Sequence, residues 1–168
     1  IPKGLVGSEM CIRDSLVTLS QSKNSINEII EALKRTGEAN EIDKDKLIRR
    51  VDCIKEWIKN YAPESVVFEI QKRKPEIGFD DTEIKCTKLL SAKFKEIKWT
   101  PEMIHNSFYE LQEESEIPAK RFFKVVYNAI LGKDRGPRLG FFLATMDKNF
   151  IIKRPVSYTH LTLPTMDH

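Results

Sequence analysis

Between Ser25 and Gly37 the apolar residues Ile26, Ile29, Ile30 and Leu33 recur at the spacing of one helical face. Ser25 followed by Glu28 supplies a capping box at the start, and Gly37 a stop, so this stretch predicts a short amphipathic helix. A second helix is predicted from the cap Asp43, with Leu47, Val51, Ile54, Ile58 and Tyr61 as its stripe and Trp57 on the stripe's flank, ending at Pro63. Trp57 in that position is expected in the core rather than as a stacking platform for bases.

The segment VVFEIQKRKPEIGFDD contains Pro75 and Gly78 and reads as a connection, with a short extended piece at Val66 to Ile70. From Asp81 the helical pattern resumes with Cys86, Leu90, Phe94 and Ile97 on one face. Thr100-Pro101-Glu102 then places a capping hydroxyl, a proline at the first helical position and an acid in the first turn, ahead of the stripe Ile104, Phe108, Leu111. Pro118 opens a helix whose apolar set, Phe122, Phe123, Val125, Val126, Ala129 and Ile130, is wide enough for burial on most sides. Gly132 ends it, GKDRGPRLG follows as a loop, Pro137 starts another helix bearing Leu139, Phe142, Leu143 and Met146, and a last apolar turn runs from Phe150 to Ile152. No strand pattern competes. The predicted class is all-α, a bundle or cage of six or seven short helices.

Codons ATG TGT ATA AGA GAC for Met10 to Asp14, followed by AG of Ser15, give an opposite strand that encodes Val156-Ser157-Tyr158-Thr159-His160. The strings LVGSEMCIRDS and VSYTHLTLPT thus share one inverted DNA sequence and resemble translated sequencing-adapter read-through. Residues 1–15 and 155–168 are therefore set aside as artefact and expected to be disordered, leaving 16–154 as a helical region truncated on its N-terminal side.

Composition suits a single soluble domain: 40% of the 168 residues are hydrophobic and 32% charged, with no membrane-length apolar run and no signal peptide. A cytoplasmic location is the default. Cys53 and Cys86 are too far apart for a paired metal motif and are expected to be buried free thiols. Charge changes the picture more. Residues 16–117 hold 17 Lys and Arg against 20 Asp and Glu, whereas 118–154 hold 9 against 2. Lys120, Arg121, Lys124, Lys133, Arg135 and Arg138 flank the apolar helix and its exit loop, where they would present cations to a phosphate backbone. Asp134 is placed to hold Arg135 or Arg138 instead.

Other chemistries fit less well. Gly132 and Gly136 are separated by three residues and followed by Pro137, which is not the spacing of a nucleotide-binding P-loop; the two glycines are expected at positive φ, and Gly140 at a close helix contact. A helix-turn-helix reading would make 118–131 a recognition helix, but its doubled apolar face leaves little surface for a major groove. His105 has no nucleophile partner at a useful spacing, and nothing reads as a catalytic or metal site.

The run WTPEMIHNSFYELQEESEIPAKRFFKVVYNAILGKDRGPRLGFFLATMDKNFIIKR, and above all YNAILGKDRGPRLGFFLATMDKNFII, resembles the C-terminal part of class I lysyl-tRNA synthetases. IKEWIKNYAPESVVFEIQ and, more weakly, residues 16–41 fit the same family. The resemblance implies a helical anticodon-binding domain, related to that of glutamyl-tRNA synthetase, within a lysine–tRNA ligase that uses ATP. The family's His-Ile-Gly-His and Lys-Met-Ser-Lys-Ser signatures do not occur in this chain, so no catalytic residue or cofactor is assigned to it. Its implied partner is a lysine-specific tRNA, with neither DNA nor a membrane expected. A glutamyl-tRNA synthetase fragment and a helical protein-interaction scaffold are the alternatives.

Overall fold

A computed structural model describes residues 3–158, with side chains from Arg13 onward. Among the described residues all regular structure is helical: α1 (Lys3–Ser22), α2 (Ile26–Arg35), α3 (Lys44–Asn60), α4 (Asp81–Glu96), α5 (Pro101–Ser115), α6 (Ala119–Leu131), α7 (Leu139–Ala144) and α8 (Lys148–Val156). The all-α expectation holds, with eight helices rather than six or seven. The expected extended piece at 66–70 is irregular chain. The chain divides into two compact units, 1–69 and 70–168.

In the first unit α1 packs against α2 and α3. Ser25 Oγ accepts from Glu28 N at 3.2 Å, and Asp43 caps α3 by accepting from Lys46 N at 3.2 Å. Such caps satisfy amides that a helix start leaves without intrahelical partners. Leu16, Leu19, Ile29, Leu33, Leu47 and Val51 form the core. Two expectations fail here: Trp57 is 40% exposed and Cys53 is exposed. Both lie beyond the first two turns of α3, the only part of that helix carrying buried residues.

In the second unit α4 packs on α5, α6 and α8, while α5 also packs on α6 and α7. Asp80 and Glu83 close a reciprocal capping box at α4, and Thr100 with Pro101 starts α5 as its sequence predicts. Phe94, Phe108, Phe122 and Phe142 are fully buried and form the centre. Phe94 and Phe108 meet edge-on with centroids 5.9 Å apart. Cys86 is buried as expected, and desolvation pushes its thiol up to about 11. Gly140 lies where α7 crosses α5; a Cβ there would meet Pro101 O at 2.6 Å, so the close helix contact read from sequence is real.

The expected disorder of the ends does not extend to their described parts. α1 runs through residue 15, where Ser15 and Leu16 are both 1% exposed, and α8 runs on to Val156. Pro155, the first residue past 154, has no N–H to add to the helix ladder, and the end is closed instead by Ser157 N donating to Arg154 O at 3.3 Å and Tyr158 N to Pro155 O at 3.2 Å. Tyr158 is 4% exposed, donates to Pro75 O at 2.6 Å and packs against Phe79 at 4.7 Å. Residues 1–2 and 159–168 lie outside the described residues.

Candidate nucleic-acid interface

The basic loop 132–138 leaves the C-terminal end of α6, and that end is stabilised from three directions. The last carbonyls of a helix lack intrahelical donors. Here Asn128 O accepts from Gly132 N at 3.0 Å, Ile130 O from Gln71 N at 2.9 Å, and Ala129 O from Arg154 Nη1 at 3.0 Å. Arg154 is 8% exposed and also donates to Gln71 O at 2.9 Å and Lys72 O at 3.2 Å. A guanidinium, with five donors in a planar fork, can serve several carbonyls at once, and its charge suits a helix C-terminus. Sequence reading counts Arg154 among the basic residues of the last quarter; the fold uses it as an internal clamp.

Within the loop, Gly132 adopts φ +69°, which its missing Cβ permits. Gly136 does not have positive φ, contrary to expectation. Its requirement is space: a Cβ would meet Leu131 Cδ1 at 2.6 Å and the Tyr127 ring at 3.0 Å. Tyr127 donates its hydroxyl to Pro137 O at 2.7 Å, and burial raises its pKa above the ordinary tyrosine value. Asp134 accepts from Asn128 Nδ2 at 2.9 Å, so it ties the loop to α6 instead of holding Arg135 or Arg138. The loop is thereby built onto one helix by its ends, its aspartate and a tyrosine.

The six cations singled out by sequence are not equivalent. Lys120, Lys124, Lys133, Arg135 and Arg138 are exposed. Among the described residues neither Arg135 nor Arg138 enters an ion pair. Arg121 is half-buried and reaches Asp80 at 3.2 Å, which commits it to the capped start of α4. Hydrogen bonds from the Glu83 amide, followed by the Arg121 charge, hold the Asp80 carboxyl below the ordinary aspartate range. Lys120 and Lys124 are four apart on the outward side of α6, and the loop with Arg135 and Arg138 follows from the end of that helix.

Aromatic residues beside these cations escape the sequence reading. His105 and Tyr109 on α5 are exposed with ring centroids 5.2 Å apart, and Tyr109 meets the half-buried Phe123 of α6 at 6.1 Å. The signal was present: His105 and Tyr109 lie four apart and off the stripe of Ile104, Phe108 and Leu111.

The first unit contains a cavity of about 460 Å³ lined by Arg13, Leu16, Lys46, Arg49, Arg50, Cys53 and Ile54. Its lining pairs no base with a nucleophile, and Arg13 comes from the terminal segment. Among the described residues no cluster of His, Cys, Asp and Glu could hold a metal ion, and no helix is long and apolar enough to cross a membrane.

An all-helical module presenting a preformed cationic loop is the class this geometry defines. The chain is similar to lysine–tRNA ligases. It is 32% identical over 139 residues to that of Picrophilus torridus, a match covering 83% of this chain and 27% of the relative. It is 35% identical over 146 residues to that of Thermococcus kodakarensis, covering 83% and 28%, and 32% identical over 124 residues to that of Borrelia garinii subsp. bavariensis, covering 72% and 23%. The chain spans about a quarter of the length of the curated relatives it matches. No family model matches it.

Proposed function

We propose that residues 16–154 are the tRNA-binding, anticodon-recognising region of a class I lysine–tRNA ligase. On this reading the parent enzyme joins lysine to its tRNA with ATP in the cytoplasm, and the helical region is inactive alone because the ATP-binding signatures lie elsewhere. The similarity to lysine–tRNA ligases carries the proposal, and the cationic loop on α6 supports it. All six candidate cations fall within 16–154, so assigning residues 1–15 and 155–168 to adapter read-through removes none of them.

The mechanism is positional. RNA loops are recognised by shape, stacking and contacts to the backbone, so the module holds the tRNA while its acceptor end reaches a separate catalytic site. Arg135 and Arg138, with Lys120, Lys124 and Lys133, provide the phosphate contacts. Arg121 contributes less, because binding phosphate would break its pairing with Asp80.

Salt dependence of binding tests this. Each cation that neutralises a phosphate contributes about 0.7 to 0.9 to the slope of log K against log salt. Arg135→Ala with Arg138→Ala should weaken lysine tRNA binding and lower that slope by about 1.4 to 1.8. Unchanged slope and affinity would refute the role of these arginines. Tighter binding of glutamate tRNA would reassign the partner, and absence of tRNA binding in dilute salt would leave a protein-interaction scaffold.

A further inference from the structure

Three rings outside the core, His105, Tyr109 and Phe123, form a continuous row across α5 and α6. Tyr109 is 45% exposed. Phe123 is held from beneath: Phe108 is fully buried and packs against it at 4.6 Å with the rings tilted 35°. The outward rings complete none of α5's inward stripe, which Ile104, Phe108 and Leu111 already supply. Rings fixed on one side and open on the other offer a π face to a flat ligand at little cost in side-chain entropy.

The charges around the row indicate which flat ligand. On α6, Lys120 precedes Phe123 by one turn and Lys124 follows it directly, both exposed. At the other end, Gly140 approaches His105 so closely that a Cβ would lie 3.2 Å from His105 Cβ, which brings the chain two residues after Arg138 to this edge. Glu102 and Glu113, one turn outside His105 and Tyr109 on α5, are exposed. A polyanion would therefore be drawn to the α6 side and repelled from the outer side of α5. Aromatic faces next to lysines match an unpaired base with its phosphate, whereas a paired stem offers no open base face.

We infer that His105, Tyr109 and Phe123 are a stacking platform for unpaired nucleotides of an RNA loop, whose phosphates run along Lys120 and Lys124. The inference rests on the RNA-binding reading above and goes further by naming the surface that meets bases.

The test uses the full chain, a lysine tRNA transcript and a loop-less RNA duplex. Tyr109→Leu keeps an apolar contact with Phe123 but removes the ring, and Tyr109→Phe keeps the ring. Tyr109→Leu should weaken tRNA binding about tenfold, which is about 1.4 kcal/mol. It should leave the salt slope and duplex binding unchanged, while Tyr109→Phe retains wild-type affinity. Glu113→Gln should tighten tRNA binding. Undiminished binding by a folded Tyr109→Leu, with the arginine double variant still weakened, would overturn the platform and leave the RNA reading intact. A wild-type chain that ignores tRNA in dilute salt would remove the RNA reading itself. An equal loss of tRNA and duplex binding would assign Tyr109 a structural role and also overturn the platform.

Discussion

Helices α3 and α6 are both basic and both belong to compact units, yet they are built on different terms. α3 has 17 residues and buries Leu47 and Val51. α6 has 13 residues and buries seven of them. The stripe of α3 continues in sequence through Ile54, Ile58 and Tyr61, but burial fades along it: Ile54 and Ile58 are half-buried and Tyr61 is 80% exposed. Periodicity therefore states where a helix could be covered, and only packing decides how much of it is. α6 therefore leaves only a few side chains facing outward, because the rest of its surface is occupied.

The widest separation between these helices should appear on truncating an aromatic in each. Phe122→Ala empties a fully enclosed site in α6 and should cost about 3–5 kcal/mol. Trp57→Ala in α3 removes a side chain already 40% exposed and should cost less than about 1 kcal/mol. Urea unfolding, with hydrogen exchange to assign the loss to a unit, measures both. Equal costs would mean that α3 is as well covered as α6.

The next effect concerns the carbonyl end of α6. Arg154→Leu should leave the carbonyls of Ala129, Gln71 and Lys72 without their shared donor, costing about 2–4 kcal/mol. Faster amide exchange at Gln71, whose N–H bonds to Ile130 O, should accompany it. Arg154→Lys should recover only part of the loss, since an ammonium lacks the planar fork. Exchange at Gln71 unchanged from wild type would show that the segment is held without Arg154.

Both helices also mark how far structure is legible in the bare chain. Much of the helical framework is legible from local signals: Ser25, Asp43 and Thr100 cap where their side chains predict, and Gly37 and Gly132 end helices at φ +76° and +69°. α1 escapes as an element because the segment containing its first half is set aside on codon grounds. Long-range roles are not legible. Arg154 reads as an ordinary surface cation until α6 and the segment at 71–73 converge on it, and Arg121 resembles Lys120 until Asp80 is placed beside it. The loop's cations can be named from composition, while its anchoring by Tyr127, Asn128 and Gly136 depends on contacts that sequence spacing does not encode.

The smallest expected effect refines the comparison, because it concerns how α5, the partner of α6, is set against α4. Lys93 of α4 lies 2.7 Å from Glu110 and 3.6 Å from Glu114 of α5. The hydrogen bond to Glu110, then the charges of both glutamates, outweigh burial and raise the Lys93 pKa above its ordinary 10.5. The lysine is charged in the favoured state, so the stabilisation is complete below the unfolded pKa and is lost as pH rises through the higher folded one. Because both glutamates are more than half exposed, solvent screens the pair, and Lys93→Met should cost only about 0.2–1 kcal/mol at neutral pH. A double-mutant cycle with Glu110→Gln, run in urea at low and high salt, isolates the coupling. It should shrink in high salt and disappear as the pH climbs past the lysine range. A coupling that survived there would have to come from packing of the lysine stem between the two helices instead of its charge.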